Sequence, residues 1–433
     1  MSIKVKSKFN LRQSYSRCAL FIASLLFMVL LVSSAHFIST FNSSVSPFVT
    51  GVSYVVVNTE TELKNVTNMA TGSTVIALNG DIILTETYTV SNKNITLISN
   101  NNNNAKFKLI GPNVSSTIHV NGGMLTLNGI IVTHETDSVG RGIHVNTDST
   151  LIMVDGEISG NTNNYGGGVT NSGTFTMYGG TITNNTAREI NWFDYTGRHV
   201  DTWGSGGGGV FNYWTGFFTI HGGEISGNTA TDEGGGVYTN IQDFTMHGGV
   251  ISNNTASNGG GICINGPFNM FDGEISGNTA LNNGGGMYLN NGTFIKCTCR
   301  LTAGKISGNT ALNNGGGIWV DDEKRDNLFV DNRVLFENNH ASTAYDRTPE
   351  HDAVYNKQIS SDATWTAPFT QGYNNYDISY TKGYARFITI GEQTTINILH
   401  VIVATITIVI VGTITVLAYY FRKIKRNHVE KKV

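Results

Sequence analysis

Apolar and polar residues alternate along most of this chain in runs of three to five, and the runs stop at glycine or asparagine. In "DFTMHGG", Phe244 and Met246 fall on one face and Thr245 and His247 on the other. That two-residue period is the mark of a strand with one side in a core. In "GGEISGNT", a lone Ile225 sits between Glu224 and Ser226. A third kind of run follows a glycine cluster, as in "GGGVYTN" from Gly234. Glycine and asparagine accept the positive φ that sharp corners demand. The pattern predicts short strands separated by tight corners.

The runs recur in a fixed order. "DGEISGNT" from Asp155 is echoed by "GGTITNNT" from Gly179, "GGEISGNT" from Gly222, "GGVISNNT" from Gly248, "DGEISGNT" from Asp272 and "AGKISGNT" from Ala303. Ile158 and Ile182 are 24 residues apart, as are Ile251 and Ile275. Three runs and three corners in about 24 residues make one coil of an all-β parallel β-helix, with coils stacking ~4.8 Å apart. Asn161, Asn185, Asn228, Asn254, Asn278 and Asn309 recur at one corner. They are expected to form a ladder, each amide bonding the next. A leucine-rich repeat has a similar period, but leucine is scarce here and its spacing pattern is absent. The β-helix is expected over residues 51–344, with a cap that includes a short helical segment over 51–80. The repeat breaks after Ala341, so residues 345–395 read as a C-terminal cap and stalk.

Both ends of the chain point to a membrane. Lys4, Lys6, Lys8, Arg12 and Arg17 precede the apolar run Cys18–Val32, and Ser33 and Ala35 stand at cleavage-site positions. Residues 1–35 are therefore a secretory signal or an uncleaved signal anchor, followed by a linker at 36–50. Residues 398–421 are long and apolar enough for a transmembrane helix, and the basic tail 422–433 places its far end in the cytoplasm. Either fate of the N-terminus puts the repeat outside the cell, on a single-pass cell-membrane protein.

Composition narrows the classes further. There are 51 glycines in 433 residues, only 14% charged residues and a net charge of −3. No basic stripe with interleaved aromatics is present, so no nucleic-acid partner is expected. Three cysteines lie in the body, and two readings stay open: one disulfide joining Cys263 to Cys297 or Cys299, or three thiols. Neither a phosphate loop nor a dinucleotide fingerprint fits the glycine clusters, and no cofactor or metal is expected.

The "GGEISGNTA…GGGVY" style of repeat resembles that of right-handed parallel β-helix proteins of the pectin-lyase-like superfamily. More narrowly, it resembles adhesin-like, surface-anchored members in bacteria and archaea. The resemblance spans about residues 51–385 and implies fold more than activity. Polygalacturonase-like members carry NTD, DD, GHG and RIK motifs. Here "NTD" stands at Asn146–Asp148 and "DD" at Asp321–Asp322, with no GHG and several coils between the two. Carboxylates for glycoside cleavage must lie within ~10 Å, so these matches predict no active site. Glu157, Glu224 and Glu274 share one position, but Thr181, Val250 and Lys305 interrupt the column. His221 and His247 match on neighbouring coils without a third ligand.

One feature breaks the period. From Ile182 to Ile225 there are 43 residues, and the extra chain carries Trp192, Phe193, Asp194, Tyr195, Arg198, Asp201 and Trp203, with Tyr213 and Trp214 following. Loops on a rigid scaffold commonly carry function. Trp192, Tyr195, Trp203, Tyr213 and Trp214 would offer ring faces to sugars, with Asp194 and Arg198 for hydroxyls. The competing reading is that these aromatics simply pack the insertion onto the solenoid. The sequence thus favours a non-catalytic, adhesin-like binder of extracellular glycan or another envelope component. A polysaccharide lyase or hydrolase and a passive stalk are the alternatives.

Overall fold

The computed structural model describes residues 53–100, 105–189, 205–290, 298–320, 327–331, 333–342 and 376–378. The signal segment, the 398–421 span and most of the insertion lie outside them. Among the described residues no helix is long and apolar enough to cross a membrane.

From Tyr54 onward the described chain is a parallel β-solenoid, compatible with a β-helix. Its named strands pair in parallel and in register with the same run one coil away. Val210, Val237, Ile262, Met287 and Ile318 form one inward column. Phe175, Phe218, Phe244 and Phe268 form another, with ring centroids 4.7–4.9 Å apart. Ile158, Ile182, Ile225, Ile251, Ile275 and Ile306 form the third. All are buried. At ~1.5–3 kcal/mol for each large apolar side chain removed from water, these columns are the main source of cohesion.

The coil holds one more strand than the sequence pattern predicts. Beyond the three runs, the "TA" after each asparagine pairs as a separate seven-stranded sheet, from Thr162–Asn163 to His340–Ala341. Two residues are too few to display a period, so alternation could not reveal it. Its alanines Ala187, Ala230 and Ala256 make a small buried cluster of their own.

Between the isoleucine strand and this extra strand stands the asparagine ladder. Asn254 shows its chemistry. Its Oδ1 accepts from the Asn228 backbone N–H at 2.9 Å and from Asn228 Nδ2 at 3.0 Å. Its Nδ2 donates to Ile225 O at 2.9 Å and to Asn278 Oδ1 at 3.0 Å. Every donor and acceptor of the amide is thus used. The same bonds link Asn161, Asn185, Asn228, Asn254, Asn278, Asn309 and Asn339, and the side chains are fully or almost fully buried. All the amides point the same way. At the last rung Asn339 Nδ2 donates to the buried Asp377 carboxylate at 3.0 Å. At the first, Asn161 Oδ1 faces His134 Nδ1 at 2.8 Å, while His134 Nε2 faces Ser115 O at 2.8 Å. The Asn161 oxygen can only accept, so Nδ1 donates to it. A histidine and a carboxylate close the two ends of an aligned row of dipoles.

Glycine allows the adjacent corner. Gly234 has φ +64°, and a Cβ there would lie 2.4 Å from Val237 O. Gly235 passes equally close to the coil above, where a Cβ would meet Gly260 O at 2.4 Å.

The first strands of the solenoid carry a helix. The helix Glu60–Met69 is N-capped by Thr59, whose Oγ1 accepts from Glu62 N–H at 3.2 Å, and it packs on the first strands through buried Leu63 and Thr67. At the other end Tyr376–Ile378 continue the last coil. Gly317 and Ile318 N–H donate to Tyr376 and Asp377 O at 2.7 and 2.8 Å.

Asn254→Ala takes the acceptor from two Asn228 donors and the donor from Ile225 O, and leaves Asn278 Oδ1 with only the residue-254 backbone N–H. It should cost ~3 kcal/mol or more. Ser257→Ala, which loses one exposed bond to Thr231 O, should cost under ~0.5 kcal/mol. Denaturant unfolding of the two variants checks the contrast.

Candidate functional site

Strand alignment stacks outward side chains as well as inward ones. Tyr178, His221, His247 and Phe271 form an outward column with centroids 4.9–5.0 Å apart and planes within 8° of parallel. Tyr288 and Trp319 stack at 4.4 Å on another strand. These spacings follow the ~4.8 Å strand separation. Rings stacked this way cover one another's faces and offer only edges, so such columns are poor platforms for a sugar. Burial and the neighbouring His247 lower the His221 pKa. Among the described residues no group of three or more His, Cys, Asp or Glu is placed to hold a metal.

The coil that carries the insertion departs from this pattern. In the coil before it, two residues separate Val169–Asn171 from Thr174–Met177; here four separate Val210–Asn212 from Phe217–Ile220. The longer corner presents Tyr213, Trp214 and Phe217, which are 40%, 56% and 47% exposed. Trp214 has φ +32°, a strained conformation for a bulky residue, and such strain clusters at functional sites. The corner is held by a second asparagine pair. Asn171 Nδ2 donates to Asn212 Oδ1 at 2.7 Å, and Asn212 Nδ2 donates to Gly216 O at 2.6 Å.

Beside the corner runs an open groove of about 760 Å³. Phe211 and Tyr238 stack beneath it at 4.8 Å, with Tyr165 tilted against Phe211 at 5.0 Å and Tyr213 at 5.6 Å. Trp214 meets Tyr213 edge-on at 5.9 Å. Asp232 Oδ2 accepts from Ser205 N–H at 2.7 Å and Ser205 Oγ at 3.0 Å. Glu233 accepts from Asn290 Nδ2 at 3.0 and 3.2 Å and from Cys263 Sγ at 3.6 Å. Burial raises the Glu233 pKa; the bonds from Cys263 and Asn290 work against that, and the Asp232 charge adds to it. Asn240, Asn258 and Asn282 supply amides along the lining. Ser205 and Gly206, the first described residues after the insertion, also line it.

Of the ring residues singled out in the sequence, Tyr213 lines the groove and Trp214 packs on Tyr213. Trp192, Asp194, Tyr195, Arg198 and Trp203 lie outside the described residues, as does Cys297. Cys263 and Cys299 occupy different strands. Cys263 pairs in register with Tyr238 and Tyr288, and Cys299 with Phe268. "NTD" is a structural corner in which Asp148 adopts φ +60° and Asn146 Nδ2 donates to Asn121 Oδ1 at 2.9 Å. Glu224 and Glu274 accept from Ser252 and Ser307 Oγ at 3.1 Å. The sequence reading missed Phe211, Tyr238, Asp232 and Glu233. A signal was there: "DEGGG" stands where neighbouring coils read "SNGGG" and "NNGGG".

The groove's sheet face extends toward the N-terminus as a stacked His119–His144 pair, 4.9 Å apart. Burial, Arg141 and His119 push the His144 pKa down to about 4. The unfolded chain, with an ordinary histidine pKa of ~6.5, binds the proton more readily. His144 therefore favours the folded state above pH ~6.5, and that contribution is lost as pH falls toward 4. The Tm difference between His144→Thr and the parent should shift in the variant's favour across this window, measured by calorimetry; a constant difference would contradict the assignment. No family model, curated protein or solved structure was found to match this chain.

Proposed function

We propose that this is a membrane-anchored, non-catalytic surface protein whose right-handed β-helix, of the pectin-lyase-like kind, projects outward and binds glycan. The export and membrane-span signals support the location. The observation that carries the binding reading is the coincidence of three departures from the repeat in one place. These are the extra segment at 187–206 in the sequence, the exposed Tyr213–Trp214–Phe217 corner and the groove floored by Phe211 and Tyr238. At this corner Tyr213, Trp214 and Phe217 are exposed outside any long column of stacked rings. Exposed ring faces beside carboxylates and amides suit the apolar faces and hydroxyls of a sugar chain. Concave sites with a few placed polar groups are the usual form of a ligand site.

Glu233 favours a second reading, a polysaccharide lyase or hydrolase, because a carboxyl with a raised pKa suits a general acid. Against it, Glu233 is tied to Asn290 and Cys263 rather than open at the surface.

In a glycan-binding screen of residues 36–395, Trp214→Ala and Tyr213→Ala should weaken binding about tenfold or more. Trp192→Ala and Trp203→Ala should weaken it too. Trp319→Ala, stacked on Tyr288 away from the groove, should leave it unchanged. Equal binding by all of them, or none by the parent, removes the reading. Turnover of polysaccharides, with or without calcium, would replace it with the enzymatic one.

A further inference from the structure

The charge in the groove bears on which glycans fit. Asp232 and Glu233 are consecutive and both line it. Asp232 uses one oxygen, Oδ2, for Ser205. Its other oxygen has no hydrogen-bond partner among the described residues and is free to accept from a sugar hydroxyl. A carboxylate accepting from a hydroxyl makes a strong, charge-assisted bond. The Asn240 side-chain amide is likewise unengaged among the described residues and has both a donor and an acceptor to offer. A hydroxyl-bearing chain therefore meets acceptors suited to it.

A uronate chain meets the opposite. Each of its residues carries a carboxylate, and in this groove that charge would approach Asp232 in a partly dry setting. Two like charges ~4 Å apart at a protein surface repel by enough to cost tenfold or more in affinity. Glu233 adds to the repulsion once ionised. Burial raises the Glu233 pKa, so this contribution weakens as pH falls.

We propose that the groove selects uncharged glycans and rejects polyuronates, with Asp232 as the residue that decides. This rests on the glycan reading of the site. It also runs opposite to the polyuronate ligands that the pectin-lyase-like resemblance brings with it.

The test compares neutral hexasaccharides (cello- and manno-oligosaccharides) with hexamers of galacturonate and alginate. Binding is measured by calorimetry at low salt on the parent and on Asp232→Asn. The variant keeps one acceptor oxygen, puts an amide donor in place of the other and removes the charge, and its Tm shows whether the Ser205 contact survives. The expected result is that a neutral oligomer binds at least tenfold more tightly than either uronate. Asp232→Asn, and separately added salt, should narrow that gap by raising uronate affinity. Uronates binding as tightly as neutral chains would overturn the selectivity and leave the groove's glycan role standing. So would a gap that Asp232→Asn leaves unchanged, for the role given to Asp232. Binding of no oligomer of either kind would overturn both.

Discussion

The buried asparagine ladder is the constraint on which the rest of the structure depends. An amide at every coil has its two acceptor sites and two donors satisfied by the coils below and above. Buried amides are costly when unpaired, so each rung fixes its neighbour's height and register. Once the register is fixed, isoleucine lies over isoleucine and phenylalanine over phenylalanine. The aligned amides also explain the ends. A donor, His134, is needed at one terminus, and an acceptor, Asp377, at the other. The chain supplies both where the repeat itself stops.

The same register governs the surface. In a parallel stack any outward residue that recurs becomes a column, and aromatic columns spend their faces on one another. A solenoid of perfect repeats has little open aromatic surface. The proposed binding site accordingly lies where the alignment is interrupted, at the lengthened corner of the coil from Val210 to Ile220. That coil stays anchored by Asn171–Asn212 and by the ladder through Asn185 and Asn228. Rigidity beneath and irregularity above are the two halves of one arrangement.

Much of this was legible in the sequence, for physical reasons. Alternation and corner residues declared the strands, and the period declared their stacking. The helix at Glu60–Met69 was legible as a short helical segment. The two-residue "TA" strand was not, because it is too short to show a period. The partial legibility of the site has the same origin. Tyr213 and Trp214 stood out as aromatics near an insertion. Phe211 and Tyr238 did not, because they occupy a position that holds Thr170 and Cys263 in other coils, and only the register reveals that they stack. Asp232 and Glu233 carry no period of their own, and only the fold sets them beside those rings. The recurring histidines and glutamates had drawn attention, yet the structure assigns them to stacking and to serine contacts.

The central claim is that the repeat is scaffold and its interruption is the site. The most direct measurement removes the interruption. Replacing residues 188–217 with a coil of regular length, patterned on residues 164–174, restores the ordinary period between Ile182 and Ile225. The account predicts a folded solenoid with a Tm equal to or above the parent's and no measurable glycan binding. A folded variant that binds as the parent does would show that the site lies elsewhere, and the account would be wrong.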